Sequence, residues 1–232
     1  MARWRAVVFD LDDTLYPERE FVRGGLQAAA VWAEHALEAD AARAFAELWA
    51  MFEAGVRGDT FDRWLRSHGY PIPGNREAMI LAYRDHRPHL KPYLDVRPAL
   101  EDVHTSCALG VITEGVRHVQ QAKLAALGLQ DLLKDVVVLG EEEREAWKPS
   151  PRPFERWMAD KEFQPDEIVY VGDNPAKDFL GARRAGWSSI RVRRPEGLHA
   201  AAEPRGVEAR PDFEFPDLVQ LPALVAAHAR RQ

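Results

Sequence analysis

The segment Val7-Val8-Phe9-Asp10-Leu11-Asp12-Asp13-Thr14-Leu15-Tyr16 runs from β-branched and aromatic residues directly into acid-x-acid-acid-Thr. Folding chemistry alone does not account for this, because no turn needs two acids flanking a leucine at the end of a buried strand. Val7 to Phe9 reads as a strand covered on both faces, as in a parallel sheet, so Asp10 and Asp12 emerge together at its C-terminal edge. Open α/β sheets bind ligands at that edge. Several carboxylates in one turn repel one another unless a metal ion or a lysine offsets their charge.

Later strand-like runs supply such partners. Cys107 to Thr113 ends in a hydroxyl, followed by Glu114 and Gly115, and Asp135 to Leu139 is followed by Lys148-Pro149. Ile168 to Val171 leads into Gly172-Asp173-Asn174-Pro175-Ala176-Lys177-Asp178. Asn174-Pro175 also fits an ordinary helix start, with Asn as N-cap and Pro in the first turn, and Asp178 fits a first-turn acid favoured by the helix dipole. Taken singly, Thr113 reads as a strand-end residue and Lys148 as a surface lysine. Taken in chain order, four strand ends deliver Asp/Asp, Thr, Lys and Asp/Asp, an arrangement far more specific than any one part.

With these motifs the chain resembles the haloacid dehalogenase (HAD) superfamily, in its phosphatase branch with a type C1 helical cap (subfamily IA-like), over residues 5 to 195. The resemblance implies that Asp10 is the nucleophile that becomes an aspartyl-phosphate. It implies that Asp12 is the general acid/base, a role that calls for a pKa raised by acidic neighbours. Mg²⁺ would be held by Asp10, the Asp12 backbone carbonyl and Asp173, with Asp178 a further ligand or an acceptor behind them. Thr113 and the backbone N–H groups after it, at Glu114 and Gly115, would hold phosphoryl oxygens, and Lys148 would neutralise the phosphoryl group and orient Asp10. Glu114 departs from the family pattern, which has a small or amide residue there. Beside a phosphate its charge is repulsive unless it turns toward the cap or a cation.

The expected function is a Mg²⁺-dependent phosphomonoesterase for a small soluble organophosphate, either a sugar phosphate, a short phosphorylated acid or a nucleoside monophosphate. The last arises because Leu-Asp-Asp-Thr-Leu-Tyr-Pro also looks like pyrimidine-nucleotidase relatives. A β-phosphoglucomutase-like phosphotransferase and a catalytically silent HAD-fold binding module are the alternatives. The resemblance disfavours dehalogenation, since haloacid dehalogenases have no acid at the position of Asp12.

The expected fold is α/β, a doubly wound Rossmann-like parallel sheet core with an inserted all-helical cap. The core takes residues 1–16 and 90–232, and the cap takes 17–89, where alanine-rich helical stretches such as Phe21 to Ala39 and Ala41 to Ala54 replace the strands. After Thr113 the pattern alternates: a helix from Arg117 to Leu127 stopped by Gly128, a helix from Pro151 to Asp160, a helix from Ala176 to Ala185 and a strand from Ser189 to Val192. A short run from Asp212 to Phe215 and a helix near Leu218 to Ala229 close the chain, with a loop-rich segment from Arg193 to Arg210. Within the cap, Glu18, Arg19, Arg23, Arg57 and Trp64 are candidate substrate contacts.

At 232 residues with 46% hydrophobic composition the chain is long enough for a core plus a small insert. A net charge of −6 without a long basic run disfavours a nucleic-acid partner. No apolar run approaches a membrane span, and a signal peptide is not expected, since Met1-Ala2-Arg3-Trp4 leads straight into the first strand. The eight histidines form no zinc-like pair, and the single cysteine, Cys107, rules out an intrachain disulfide and suits the cytoplasm. A monomer and a homodimer both fit.

Overall fold

The computed structural model describes residues 3–229. Six strands make one parallel sheet in the order β3-β2-β1-β4-β5-β6. They are β1 (Ala6–Phe9), β2 (Ala108–Glu114), β3 (Asp135–Leu139), β4 (Ile168–Gly172), β5 (Ser188–Val192) and β6 (Phe213–Phe215). This is the doubly wound arrangement expected from the alternating pattern. The order reverses at β1, whose neighbours β2 and β4 come from opposite halves of the chain. All four residues of β1 and all five of β4 are buried, so their apolar runs are those of strands covered on both faces. Phe9 is level with Val111 and with Val171, so Asp10 leaves the sheet beside Gly172 and close to Thr113.

The chain divides into two compact units, Met1–Glu18 with Leu90–Gln232, and Arg19–His89. In the first unit, α5 (Val96–His104) packs on β2, α6 (Arg117–Leu127) on β2 and β3, α7 (Arg152–Met158) on β2 and β3, and α8 (Asp178–Arg184) on β4 and β5. A terminal helix, α9 (Leu221–Ala229), packs on α5. Ala6, Val8, Ile112, Phe154, Trp157, Tyr170 and Trp187 share one apolar cluster. β2 approaches α7 so closely that a Cβ on Gly110 would fall 2.3 Å from the Trp157 ring nitrogen. Gly128 ends α6 in the left-handed region at φ 64°, the stop that its position predicts.

The second unit is all-helical. It comprises α2 (Ala41–Glu53), α3 (Thr60–Ser67) and α4 (Asn75–Asp85), with nearly all of α1 (Glu18–Leu37). The Asp40 side chain caps α2 by accepting from Arg43 N at 2.7 Å. Trp64 lies buried with its ring nitrogen 2.9 Å from Glu47, and a Cβ on Gly25 would fall 2.4 Å from the Tyr83 ring, so α1 and α4 meet at a glycine.

The two chain crossings between the units are stitched together inside the first. Tyr93 N donates to Leu15 O at 3.1 Å. Asp13, at φ 51°, accepts from Glu18 N and Leu198 N at 2.9 and 2.7 Å. Arg194 donates to Asp95 at 2.8 and 2.9 Å and to Thr14 O at 3.1 Å. The loop after β5 therefore holds both crossings.

Candidate active site

Asp10 follows β1 and is met by Lys148, whose ammonium lies 2.6 Å from Asp10 Oδ1, 2.8 Å from Asp178 Oδ1 and 2.9 Å from the Tyr170 hydroxyl. Burial pushes the Asp10 carboxyl up to about 7; Lys148 opposes this and the Asp178 charge adds to it. Burial disfavours the Lys148 ammonium, yet Asp10 and Asp178 outweigh it and hold Lys148 well above the usual lysine value. Asp10, Asp173 and Asp178 bring one carboxylate oxygen each to within 4.8 Å of one another. Asp173 Oδ2 is buried and has no hydrogen-bond partner among the described residues. Burial first, then the charges of Asp178 and Asp10, raises Asp173 far above the carboxylate range. An all-oxygen donor set with one orphaned buried oxygen and mutually repelling charges fits a hard divalent cation.

Asn174 opens a turn before α8: its carbonyl accepts from Lys177 N and Asp178 N, and its side chain accepts from Ala176 N. The helix therefore starts at Asp178, two residues later than the sequence pattern suggests. Asp178 Oδ2 in turn accepts from Asn174 N at 2.8 Å, which aims the other oxygen at Lys148.

Asp12 faces a different lysine. Lys123 of α6 lies 2.8 and 3.0 Å from its two oxygens, the Tyr16 hydroxyl donates to Oδ1, and Gln120 lies 3.4 Å from Oδ2. Burial alone raises Asp12, but the Lys123 charge and these hydrogen bonds outweigh it and hold the carboxyl below its ordinary value. This corrects the expectation of a raised pKa. The compensating charge comes from a helix 111 residues away in sequence and not from the neighbouring acids.

Thr113 is buried at the end of β2, and its hydroxyl accepts from Gln120, which leaves its own proton to donate. Gly115 N donates to Leu139 O at 3.0 Å, so this N–H is committed to the sheet, contrary to its expected place among phosphoryl donors. The pairing of β2 with β3 simply continues one residue past Glu114. Glu114 is 4% exposed at its side chain; it accepts from Lys148 N and lies 3.6 Å from the Lys177 ammonium. Its charge thus has a cationic partner, as a carboxylate at that position requires.

Residues 7–192 match the Haloacid dehalogenase-like hydrolase family. The chain belongs to this family. A glyceraldehyde 3-phosphate phosphatase of Methanopyrus kandleri is 36% identical over 221 residues, which cover 91% of this chain and 92% of that one. A phosphoserine phosphatase of Thermus thermophilus is 32% identical over 230 residues, covering 92% and 89%. The crystal structure of a HAD phosphatase from Thermococcus onnurineus superposes with a TM-score of 0.62 at 25% identity, across 95% of this chain and 97% of that one. These relatives place this haloacid dehalogenase-like hydrolase among the phosphatases of the family.

The sequence motifs of this hydrolase converge as their order suggests: Asp10, Lys148, Asp173 and Asp178 meet, and Asp12 and Thr113 are joined through Gln120. Lys123, Gln120, Tyr16 and Tyr170 carry no signal of their own in the sequence. A hint lies in the α6 pattern, where Gln120 and Lys123 share a face with Val119 and Leu127. Of the candidate contacts, Glu18 belongs to the first unit, where burial and then the Asp12 charge push its carboxyl up to about 8 against Lys123, while the others are engaged within the helical unit. Arg19 pairs with Glu53, Arg23 stands 5.1 Å from the Trp49 ring, and Arg57 donates to Phe52 O at 2.7 Å. Among the described residues no helix is long and apolar enough to cross a membrane.

Proposed function

We propose that this protein is a Mg²⁺-dependent phosphomonoesterase for a small sugar phosphate, phosphorylated acid or nucleoside monophosphate, working through a phosphorylated Asp10. The observation that carries this reading is the convergence of Asp10, Lys148, Asp173 and Asp178 at the reversal point of the sheet. The substrates named for the relatives, glyceraldehyde 3-phosphate and phosphoserine, favour short phosphorylated carbon chains. Asp10, Asp173 and Asp178, with the Asp12 carbonyl, are the groups that would hold Mg²⁺, which when bound offsets the charge between carboxylates and phosphoryl oxygens.

The residues divide the reaction into two displacements. An Asp10 oxygen attacks phosphorus while Lys148 keeps that carboxylate aimed and neutralises the developing charge. The P–O bond to the alcohol breaks, and the alcohol takes its proton from Asp12. Water then attacks the aspartyl-phosphate, gives its proton back to Asp12 and releases phosphate. Asp12 rests ionised beside Lys123, the form needed for the second displacement; the negative charge of an arriving phosphate ester pushes the carboxyl up toward the acid form needed for the first. Thr113 supplies a hydroxyl donor to a phosphoryl oxygen. The helical insert is the segment in which substrate choice is proposed to reside, and the buried, unpaired Cys107 suits a reducing cytoplasm.

The test is phosphate release from glyceraldehyde 3-phosphate, phosphoserine, nucleoside monophosphates, sugar phosphates and p-nitrophenyl phosphate, with Mg²⁺ or EDTA, for wild type and Asp10→Asn. Release that needs Mg²⁺ and disappears in Asp10→Asn is the expected result. A wild type that releases phosphate from none of them between about pH 5 and 9 overturns the reading.

A further inference from the structure

The inward face of α6 is built from Val119, Gln120, Lys123 and Leu127, so two polar side chains occupy the middle of a buried stripe. The Lys123 side chain is 7% exposed, and its ammonium bridges both oxygens of Asp12. Gln120 reaches two groups at once, Asp12 Oδ2 and the Thr113 hydroxyl. With the Tyr16 hydroxyl on Oδ1, the Asp12 carboxylate accepts from three side chains. Packing does not explain this choice of residues, because apolar side chains in place of a buried ion pair are commonly neutral or stabilising. A carboxylate held by donors on both oxygens has a fixed direction, which is what a proton-transferring group requires.

We propose that Gln120 and Lys123 are positioning residues for Asp12. Lys123 aims the carboxylate at the departing alcohol oxygen, and Gln120, by holding Thr113 as well, sets the spacing between that carboxylate and the hydroxyl that binds the phosphoryl group. The proposal rests on the phosphomonoesterase reading and adds to it a device on α6, outside the strand ends. Its consequence is selective. Loss of Lys123 harms proton delivery to the alcohol and spares attack by Asp10, which is held by a separate lysine.

The experiment compares kcat/KM for glyceraldehyde 3-phosphate, whose alkoxide must be protonated to leave, with kcat/KM for p-nitrophenyl phosphate, whose nitrophenolate leaves without a proton. This parameter reads only as far as departure of the alcohol, so the later work of Asp12 on water does not enter. Lys123→Met is expected to lower the alkyl value on the order of 10–100-fold and the aryl value less than about threefold. Lys123→Arg, which keeps a charged donor, recovers part of the loss, and Gln120→Leu falls between. The ratio of the two values is independent of how much enzyme is folded, so a partly unfolded variant still reports. Equal losses on both substrates overturn the positioning role and leave the phosphatase reading standing. A wild type inactive on both removes that reading, and this proposal with it.

Discussion

Two buried lysines, Lys148 on Asp10 and Lys123 on Asp12, face aspartates in opposite conditions. Burial holds Asp10 high, at about 7, with the Asp178 charge adding to it, against the opposing pull of Lys148, which also meets Asp178 and Tyr170. Lys123 meets Asp12 through both oxygens, helped by Tyr16 and Gln120, and brings it low. Asp10, Thr113 and Asp173 stand at strand ends, where a motif is readable from sequence, whereas Lys148 comes only after a short 3-10 helix beyond β3 and Asp178 opens α8. Lys123 and Gln120 are not readable in that way, since a lysine on a helix is most often solvated and only the fold shows which face turns inward. Glu114 departs from its family and is the residue whose geometry explains most. Because it accepts from Lys148 N, Glu114→Ala leaves a buried N–H without a partner, at a cost of about 1–3 kcal/mol, and loosens the backbone that carries Lys148. Thermal denaturation and phosphate-release kinetics are expected to show both losses, while Glu114→Gln, which retains an acceptor, stays near wild type.

At the scale of elements, the decisive piece is the end of β4. Gly172 has no side chain, and Asp178 folds back over that space; a Cβ there would stand 2.5 Å from Asp178 Oδ2. Gly172→Ala is therefore expected to displace Asp178 from Asp10 and Asp173 and to weaken divalent-ion binding by roughly 10–100-fold with a smaller effect on stability. Titration calorimetry with Mg²⁺ checks this, and unchanged affinity would show that Asp178 is not needed to hold the ion. The buried strands are legible in sequence because parallel strands are continuous apolar runs. The start of α8 is not, since the side-chain turn at Asn174 competes with helix and delays it to Asp178. Nor is α5 anticipated: Val96–His104 carries a proline at position 98 and follows the proline-rich crossing, both signals of irregular chain.

For the molecule as a whole, concentrated acid ties stability to pH and to metal. Asp10 and Asp173 have folded pKa values above their ordinary 3.8, so the folded state binds more protons than the unfolded one above about pH 4. Stability of the metal-free protein then falls as pH rises toward and through 7. Asp12, shifted the other way, contributes fully above its ordinary value and loses its contribution only on acidification; Lys148, shifted up, contributes throughout this window. In EDTA the melting temperature is expected to drop by several degrees between about pH 5 and 8, and Mg²⁺ to restore more at the upper end, because the ion competes with protons for the same oxygens. A flat profile in EDTA would contradict this assignment. The crossings at Leu15 and Tyr93 have a different consequence, for how such proteins diversify. Their backbones already touch through one hydrogen bond, with Asp13 and Arg194 fastening either side. An insertion whose two ends begin as neighbours adds only a slowly growing closure entropy to the sheet that hosts it. Lengthening or shortening the inserted helices is thereby expected to leave the carboxylates and lysines around the strand ends where they stand.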